Sequence, residues 1–577
     1  MYFSKFLSVL LTVSLLATAL SGCSSADLQN SNSSLTAQAD KIKYENEINV
    51  VLSDGEITAD GQNVDQGSAV FVSNDVIYYE DKNFYESGNP YGEGTDADKH
   101  TAEEAAAVTV VNITEAGTYR LSGRLSNGQI RVDLGEDAAQ DENAVVTLVL
   151  DGVDISCDVA PAVVFLNVYE CDNDWNIETA SKDVDISNAG ANVIISDNST
   201  NNIKGAYVAK IFKDKEGEKK LWKQDGAFYS YMSMNINGEA ANNGVLNITA
   251  DNEGLDSELH LTINGGNINI FAQNDGINTN EDGVSVTTIN GGNVHIIAGL
   301  GAEGDGIDSN GWLVINGGNV IASANPAADA GLDSDMGSFV NGGTVVALGS
   351  TMDWAESDSN QVTMNLQFAE YKESDSAIII TKEDNSIVFA YDPSEDEVVG
   401  SNTRRFMGAV VSCPAFALEE SYNVYIGGTI SGDETAGIYD IATVTGFDEA
   451  IKQGYSSSDI KMHFGKINFD GQLSGMPDRP MPEGEIFPPS EVAEADNNDG
   501  RPQPFNSEKF NSDTATAPFE KGKMPPDANG QPPQIPDRGT PPWSENGENV
   551  ADKKLLNPLF YMQDKVNNFS GVTDYSS

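Results

Sequence analysis

The chain has 577 residues and a formal net charge of −57, from 89 acidic against 32 basic residues. A surface this anionic repels nucleic acid and anionic lipid, which excludes both as partners unless a local basic patch overrides the repulsion. The length suits two to four ordinary domains, although a protein built from stacked repeats need not follow that rule.

The first 23 residues predict export and lipid attachment. Lys5 precedes the apolar run from Phe6 to Leu20, and the four residues LSGC that end at Cys23 have the form of a bacterial lipobox. We therefore expect a signal peptide at 1–23, lipid on Cys23, and a protein anchored at the extracellular face of a bacterial membrane. An ordinary signal peptide that happens to contain a cysteine is the alternative. No later stretch is apolar over the roughly 20 residues of a membrane span.

Residues 24–43 predict a polar linker, and β-rich runs separated by turns follow from residue 44. The lysine-rich sequence KIFKDKEGEKKLWK between Gly205 and Gln224 predicts a solvated hairpin inserted between strands, because acidic residues balance its charge. Three further cysteines, Cys157, Cys171 and Cys413, match no metal site; the first two either pair or remain buried thiols.

From about 225 to 349 the chain repeats a unit of about 25 residues. An Asn-Gly-Gly triplet recurs at spacings of 26, 26 and 25 residues, and apolar residues alternate with polar ones around it. The triplets begin at Asn264, Asn290, Asn316 and Asn341. Alternation is typical of strands, and the unit has room for three short strands and three turns. The repeats predict an all-β solenoid, a parallel β-helix.

Aligning the triplets places the apolar residues in columns that stacked parallel strands would bury. The columns are Ile263, Ile289, Ile315 and Val340; Ile268, Val294, Val320 and Val345; and Ile270, Ile296, Ala322 and Ala347. We assign 44–364 to the β-helix and 365–470 to a β-rich cap over its open end. Tyr422 and Tyr425 are predicted strand residues of that cap.

The C-terminal region differs in composition. From Met476 to Pro542 the chain has 15 of its 21 prolines, mixed with acidic and amide residues, so 471–550 predicts a disordered tail. Residues 551–577 form a last segment to which the sequence assigns no role.

Acidic residues recur at one position of the repeat. A Gly-[Ile/Leu]-[Asp/Asn]-[Ser/Thr] turn starts at Gly254, Gly276, Gly306 and Gly331. Stacking would bring these acids within about 4.8 Å of one another, and like charges facing each other destabilise a sheet. A calcium ion, which takes six to eight oxygen ligands, would reverse that effect. The predicted metal ligands are Glu253, Asp256, Asp275, Asp305, Asp308 and Asp333. The alternative is that Asp and Asn are merely good turn formers.

The order of several motifs resembles a family of secreted bacterial carbohydrate-binding β-helix proteins. The motifs are ITEAGTYRLSGRLSNGQIRVD, VTLVLDGVDIS, the repeated Gly-Ile-Asp-Ser and INGGN units, and SYNVYIGG, between Val108 and Gly428. The resemblance implies a right-handed, pectate-lyase-like β-helix that holds calcium and binds cellulose-type or acidic, pectin-like polysaccharide without catalysis. The chain departs from the pattern in a longer insert near 173–185 and in an unusually acidic core.

We expect a polysaccharide partner, no nucleic acid, contact with the membrane only through the lipid, and a monomer. An anionic surface holds an anionic uronate chain only through bridging cations, whereas a neutral glucan needs aromatic platforms. Trp312 and Trp354 are the candidate platforms, and sealing an edge of the fold is their alternative role. His260 and His295 fit no triad or zinc spacing and are predicted to be outward strand residues.

An enzyme is the competing class, because β-helices carry both lyases and hydrolases. A lyase usually needs an Arg or Lys base beside calcium, and the sequence from Gln224 to Tyr371 contains neither; Arg120, Arg124 and Arg131 lie upstream. A hydrolase needs only two carboxylates about 5 to 9.5 Å apart, which adjacent coils could supply. We expect no catalysis; a polysaccharide-degrading enzyme and a non-catalytic adhesin or spacer are the alternatives.

Overall fold

The computed structural model describes residues 41–79, 98–172, 176–212, 220–327, 329–350, 353, 355–356, 358–374, 376–393, 404–417, 420, 422–427 and 429–447. All described strands belong to the unit from Lys43 to Ser577. Within these ranges no helix is long and apolar enough to cross a membrane. The predicted signal peptide, most of the linker, the Pro-rich tail and the last segment lie outside the described residues.

The N-terminal part is almost entirely β-structure and contains one short helix. Its elements are β1 (Ile48–Leu52), β2 (Thr58–Ala59), β3 (Gln62–Asn63), β4 (Val70–Ser73), α1 (Ala102–Ala106), β5 (Thr109–Ile113), β6 (Gly117–Leu125), β7 (Gly128–Asp133), a 3-10 turn (Ala138–Gln140), β8 (Val146–Cys157), β9 (Val163–Asn167), β10 (Ala191–Ile195), β11 (Thr200–Gly205), β12 (Val208–Phe212) and β13 (Lys220–Gln224). Strands β12 and β13 pair antiparallel, as expected for the inserted hairpin.

The repeats form strands β14 to β28. These are β14 (Gly226–Ser230), β15 (Met234–Gly238), β16 (Val245–Ala250), β17 (Glu253–Ser257), β18 (His260–Ile263), β19 (Asn267–Ala272), β20 (Ile277–Thr279), β21 (Val286–Ile289), β22 (Asn293–Ile297), β23 (Ile307–Ser309), β24 (Trp312–Ile315), β25 (Asn319–Ser323), β26 (Leu332–Ser334), β27 (Gly337–Val340) and β28 (Thr344–Gly349). Ladder A joins β15, β18, β21, β24 and β27 in parallel. Ladder B joins β16, β19, β22, β25 and β28. Ladder C joins β14, β17, β20, β23 and β26. Each repeat therefore supplies one strand to each ladder.

The predicted apolar columns lie in the core. Ile263, Ile289 and Ile315 are fully buried and Val340 is nearly so, and these residues pair with one another along ladder A. The other two columns pair along ladder B in the predicted register. Alternation placed these side chains correctly because successive residues of a strand point to opposite faces.

The Asn-Gly-Gly triplet forms the corner between ladders A and B. Its second glycine has a left-handed φ, +95° at Gly266 and +88° at Gly292, which favours glycine over any other residue. The asparagine carboxamides form a ladder in which Asn290 Nδ2 donates to Asn264 Oδ1 at 2.8 Å. Asn316 Nδ2 donates in turn to Asn290 Oδ1 at 2.8 Å. The triplet recurs because each corner stacks on the one before it.

One local prediction is wrong. The Gly-Ile-Asp-Ser segments, expected to be turns, lie in the strands of ladder C, as in β20 and β23. Strands of three residues are too short to show alternation, and they form here because parallel neighbours on both sides pair with them.

The cap consists of β29 (Thr363–Lys372), β30 (Ile378–Lys382), β31 (Ile387–Tyr391), β32 (Phe406–Ser412), β33 (Tyr422–Ile426), β34 (Ile430–Ser431), β35 (Glu434–Thr435), β36 (Ile438–Tyr439) and β37 (Gly446–Phe447). Strand β32 pairs antiparallel with β28 and so covers the last edge of ladder B. Tyr422 and Tyr425 are buried strand residues, as predicted. Cys157, Cys171 and Cys413 are all free thiols. The all-β class is confirmed, and the right-handed parallel β-helix remains a prediction.

Candidate functional site

Ladder C carries the acidic column that the sequence predicts. Asp256 pairs with Asn278, Asn278 with Asp308, and Asp308 with Asp333 on successive strands. Tyr229 occupies the same position one strand earlier. Neighbouring strands lie about 4.8 Å apart, so carboxylate and carboxamide oxygens follow one another along the stacking direction.

A second set of acids precedes the glycine in three of the four units, at Glu253, Asp275 and Asp305, whereas Ala330 precedes Gly331. The Gly254 N–H donates to Asp275 O at 3.0 Å and the Gly276 N–H to Asp305 O at 3.0 Å, which places these units on consecutive rungs. The side chains also accept backbone hydrogen bonds: Asp275 Oδ1 from Asp305 N–H at 2.6 Å, and Asp305 Oδ1 from Ala330 N–H at 2.6 Å. Both predicted sets therefore lie on ladder C.

Burial makes these carboxyls unusually basic. Only 3% of Glu253, none of Asp256 and 8% of Asp275 is exposed. Desolvation first, and neighbouring acids second, raise the pKa of all three carboxyls well above the usual range. The same causes raise the pKa of Asp305 to about 8 and that of Asp308 to about 7. The buried carboxyls of ladder C therefore stay protonated at pH values at which exposed carboxyls are ionised.

The structure adds acids that the sequence analysis missed. Asp225 precedes Gly226 as Glu253 precedes Gly254, so aligning one more repeat would have found it. Lys223 Nζ lies 2.6 Å from Asp225 Oδ2. At the other end, Asp353 Oδ2 accepts the Ser334 N–H at 3.0 Å, and burial raises the pKa of Asp353 to about 6. Asp353 follows the last repeat, and no spacing signal marks it.

Buried oxygens of Glu253 and Asn278 have no hydrogen-bond donor among the described residues. They are Glu253 Oε2 and Asn278 Oδ1, in side chains that are 3% and 8% exposed. Asn278 Nδ2 donates to Glu253 Oε1 at 3.2 Å, so the two groups are in contact. A buried acceptor without a donor costs about 1–3 kcal/mol, which a bound cation would offset. The donor set is all oxygen, as calcium prefers.

The predicted ligands do not form a complete cage. In the part of the chain that the structure describes, no three Asp, Glu, His or Cys side chains surround one point at metal-binding distance. Several carboxylates instead accept backbone N–H groups, as Asp329 Oδ2 does from Gly304 at 2.8 Å. A metal would therefore require side-chain rotation on ladder C.

The predicted aromatic platforms differ in outcome. Trp312 begins β24 on the outward side of ladder A and is partly exposed. It shares a register position with Val286 and Gly337 on the adjoining strands. Trp354 lies outside the described residues.

The two histidines are outward strand residues but are buried, contrary to a solvent-facing role. His260 is 2% exposed and His295 is 5% exposed. Nδ1 of His260 accepts the Val286 N–H at 3.0 Å, and Nε2 lies 3.6 Å from Asp172 Oδ2. The segment after β9 covers His260, which the repeat pattern alone could not show.

The upstream arginines hold the N-terminal strands. Arg120 is buried, with Nε 2.9 Å from Glu47 Oε1 and Nη2 3.4 Å from Glu239 Oε1. Arg131 Nη2 lies 2.9 Å from Asp75 Oδ1, and Arg124 is largely exposed. These contacts are structural.

A family model described as "Carbohydrate-binding domain-containing protein" matches residues 107–404, more than half of the chain. The chain belongs to this family. All of the strands of ladders A, B and C lie within the matched region.

A solved structure, "Structure of the polysaccharide lyase-like protein from C. thermocellum, Gadolinium derivative", is 21% identical, and the match covers 52% of this chain and 93% of that one with a TM-score of 0.28. A TM-score this low does not establish a shared fold. No curated protein matches the chain.

Proposed function

We propose that this carbohydrate-binding protein is a lipid-anchored cell-surface protein that binds extracellular polysaccharide through a calcium-stabilised, right-handed parallel β-helix, without catalysis. The observation that carries the proposal is the buried acidic column of ladder C with two donor-less oxygens, Glu253 Oε2 and Asn278 Oδ1.

The order of the strands supports the β-helix. Each of five successive repeats supplies a strand to ladder C, then to ladder A, then to ladder B, and every strand pairing within these ladders is parallel. Parallel connections within one sheet are right-handed in about 98% of cases, because twisted strands pack back in only that sense. A right-handed winding of one repeat per turn satisfies both conditions.

Calcium suits the acidic column on charge and on ligand type. Its oxygen ligands lie at about 2.3–2.6 Å, so one ion between two rungs reaches a carboxylate from each. Glu253, Asp256 and Asn278 would supply oxygens at the buried end. Asp275, Asp305, Asp308 and Asp333 would supply them further along. The metal would neutralise carboxylates that repel one another once they lose their protons.

The same ions would give the protein affinity for acidic sugars. Asp308 and Asp333 are only partly buried, so an ion beside them keeps positions open to a sugar carboxylate or hydroxyl. A pectin-like uronate chain needs that bridge because the protein surface is itself anionic. A cellulose-type glycan would use Trp312 instead.

One observation favours a glycoside hydrolase as the second candidate. Asp305 and Asp308, with pKa values raised to about 8 and about 7, keep a proton near neutral pH, as a general acid must. Carboxylates on adjacent or alternate rungs fall near the 5 to 9.5 Å that such enzymes use. The arginines that a lyase would need are held in structural ion pairs.

The test is a glycan array probed with the full chain carrying Cys23→Ala, in calcium and in chelator. We expect uronate polymers to bind in calcium and to be released by chelation. Release of reducing ends from the bound polymers without formation of unsaturated uronate products would establish the hydrolase instead. Binding to no glycan in either condition would contradict the proposal and favour an adhesin or spacer.

A further inference from the structure

Residues 176–189, here called the strap, lie across the outward face of ladder A. Val184 packs against the cluster of Val286, Val314 and Phe339. The ammonium of Lys182 lies 5.0 Å from the centre of the Phe339 ring. At the far end of the strap, Asn235 Nδ2 donates to Ile186 O at 2.7 Å. The strap therefore runs across ladder A from β15 to β27, and Trp312 packs against the same cluster while staying partly exposed.

Beside the strap, two exposed apolar side chains meet. Ile177 is 57% exposed and Met336 is 42% exposed, and they are two of only five large apolar side chains so exposed in the described ranges. Both meet at Gly283: a Cβ there would collide with Ile177 and would lie 3.8 Å from Met336 Sδ. Exposed apolar side chains that cluster, rather than scatter, mark a binding surface.

This apolar patch adjoins Trp312. The Gly283 N–H donates to Asn310 O at 2.5 Å, and the Met336 N–H donates to Gly311 O at 2.8 Å. The segments that contain Gly283 and Met336 therefore both lie beside the turn that leads into Trp312. On the next rung Trp312 pairs with Gly337, and the side chain of Glu356 occupies the space that a side chain at Gly337 would fill.

Polar acceptors stand at the edge of the same patch. A Cβ on Gly337 would lie 2.9 Å from Glu356 Oε1, which places that carboxylate over the rung next to Trp312. Asp282 Oδ1 accepts Asn310 Nδ2 at 3.1 Å on the other side. An aromatic ring with an apolar rim can pack against the C–H surface of a sugar ring, and the flanking acceptors can bind its hydroxyls.

We propose that Trp312, Ile177 and Met336 form a second glycan subsite, which binds an uncharged sugar ring without metal. The proposal rests on the proposed function only in that the chain binds polysaccharide. An anionic ring is disfavoured because Asp282 and Glu356 flank the patch. Lys182 of the strap lies over Phe339 and pairs with Asp183 Oδ1 at 3.0 Å.

The test measures binding of cellohexaose and of polygalacturonate to the full chain carrying Cys23→Ala. In chelator, Trp312→Ala should weaken cellohexaose binding about tenfold, and Ile177→Ser about threefold, as expected for the loss of stacking and rim contacts. Trp312→Phe should restore part of the affinity. Val51→Ser, at another exposed apolar residue (47% exposed), is the matched control and should change nothing.

The outcomes separate this subsite from the calcium site. Polygalacturonate binding in calcium should be unchanged by Trp312→Ala and weakened by Asp305→Asn with Asp308→Asn. Because Ile177 is largely exposed, Ile177→Ser should fold like the parent even if Trp312→Ala does not. Unchanged cellohexaose affinity in Ile177→Ser and in a folded Trp312 variant would overturn the subsite. A parent chain that binds only polygalacturonate would also overturn it, while leaving the proposed function intact.

Discussion

Removing charge from the acidic column should have opposite effects on stability with and without calcium. Asp308 and Asp333 pair on adjacent strands. Two unit charges about 4.8 Å apart repel by roughly 3 kcal/mol at an effective dielectric constant near 20. Since the pKa of Asp308 is raised to about 7, about half of the molecules carry that charge at neutral pH. Asp308→Asn should therefore raise the free energy of unfolding by about 1–2 kcal/mol in chelator.

In calcium the parent should be more stable than the variants that lack these carboxylates. An ion that binds only the folded protein stabilises the parent by about 2.7 kcal/mol at a hundredfold excess over Kd. The double variant Asp305→Asn with Asp308→Asn should lose most of that gain, so its melting curve and that of the parent should cross between the two conditions. Glu142→Gln, at an exposed acid in a loop, is the control and should behave like the parent in both. Thermal unfolding followed by circular dichroism measures the stability of each protein in calcium and in chelator. A double variant that melts below the parent in chelator, or that keeps the full calcium response, would refute the reasoning.

The remaining predictions concern the core, the anchor and pH. Ile315→Asp, in a fully buried column, should cost several kcal/mol and lower the melting temperature sharply, whereas Thr288→Asp on the outward face should change it little. Cys23→Ala should move the protein from the membrane fraction to the medium, as fractionation would show; retention would mean another anchor. In chelator, stability should fall as pH rises, because Asp305 and Asp308 titrate near 3.8 when unfolded but at about 8 and about 7 when folded. The stabilisation from these two protonated carboxyls is complete below about pH 4 and is lost as the pH rises through 7–8. A melting temperature that rises from pH 5.5 to pH 8 would contradict this prediction.

The apolar columns could be predicted from sequence because one rule, alternation in register with the Asn-Gly-Gly corner, decides every position. Ile289 and Val320 are buried for the same local reason. Alternation could not predict the strands of ladder C, since Ile277–Thr279 is too short to alternate and becomes a strand only because neighbouring strands pair with it. Alternation could not predict the position of the strap either. Nothing near Val184 in sequence shows that it packs against Phe339, because that contact depends on where a non-repeating insert lies across the repeats.

In the acidic column, acidic side chains occupy buried strand positions, and this conflict points to a ligand. Apolar side chains at Asp256 and Asp275 would fit the buried strands of ladder C better than carboxyls do. The structure tolerates the carboxyls in one of two ways, by retaining protons or by accepting a cation. Protonation stabilises the site at low pH and calcium stabilises it at high pH, because the ion must displace the protons to bind. A retained proton on Glu253 Oε2 that donates to Asn278 Oδ1 gives both of these oxygens a partner, and a cation bound between them would do the same. The response to calcium at high pH, where the proton is lost, therefore decides between protonation and metal binding.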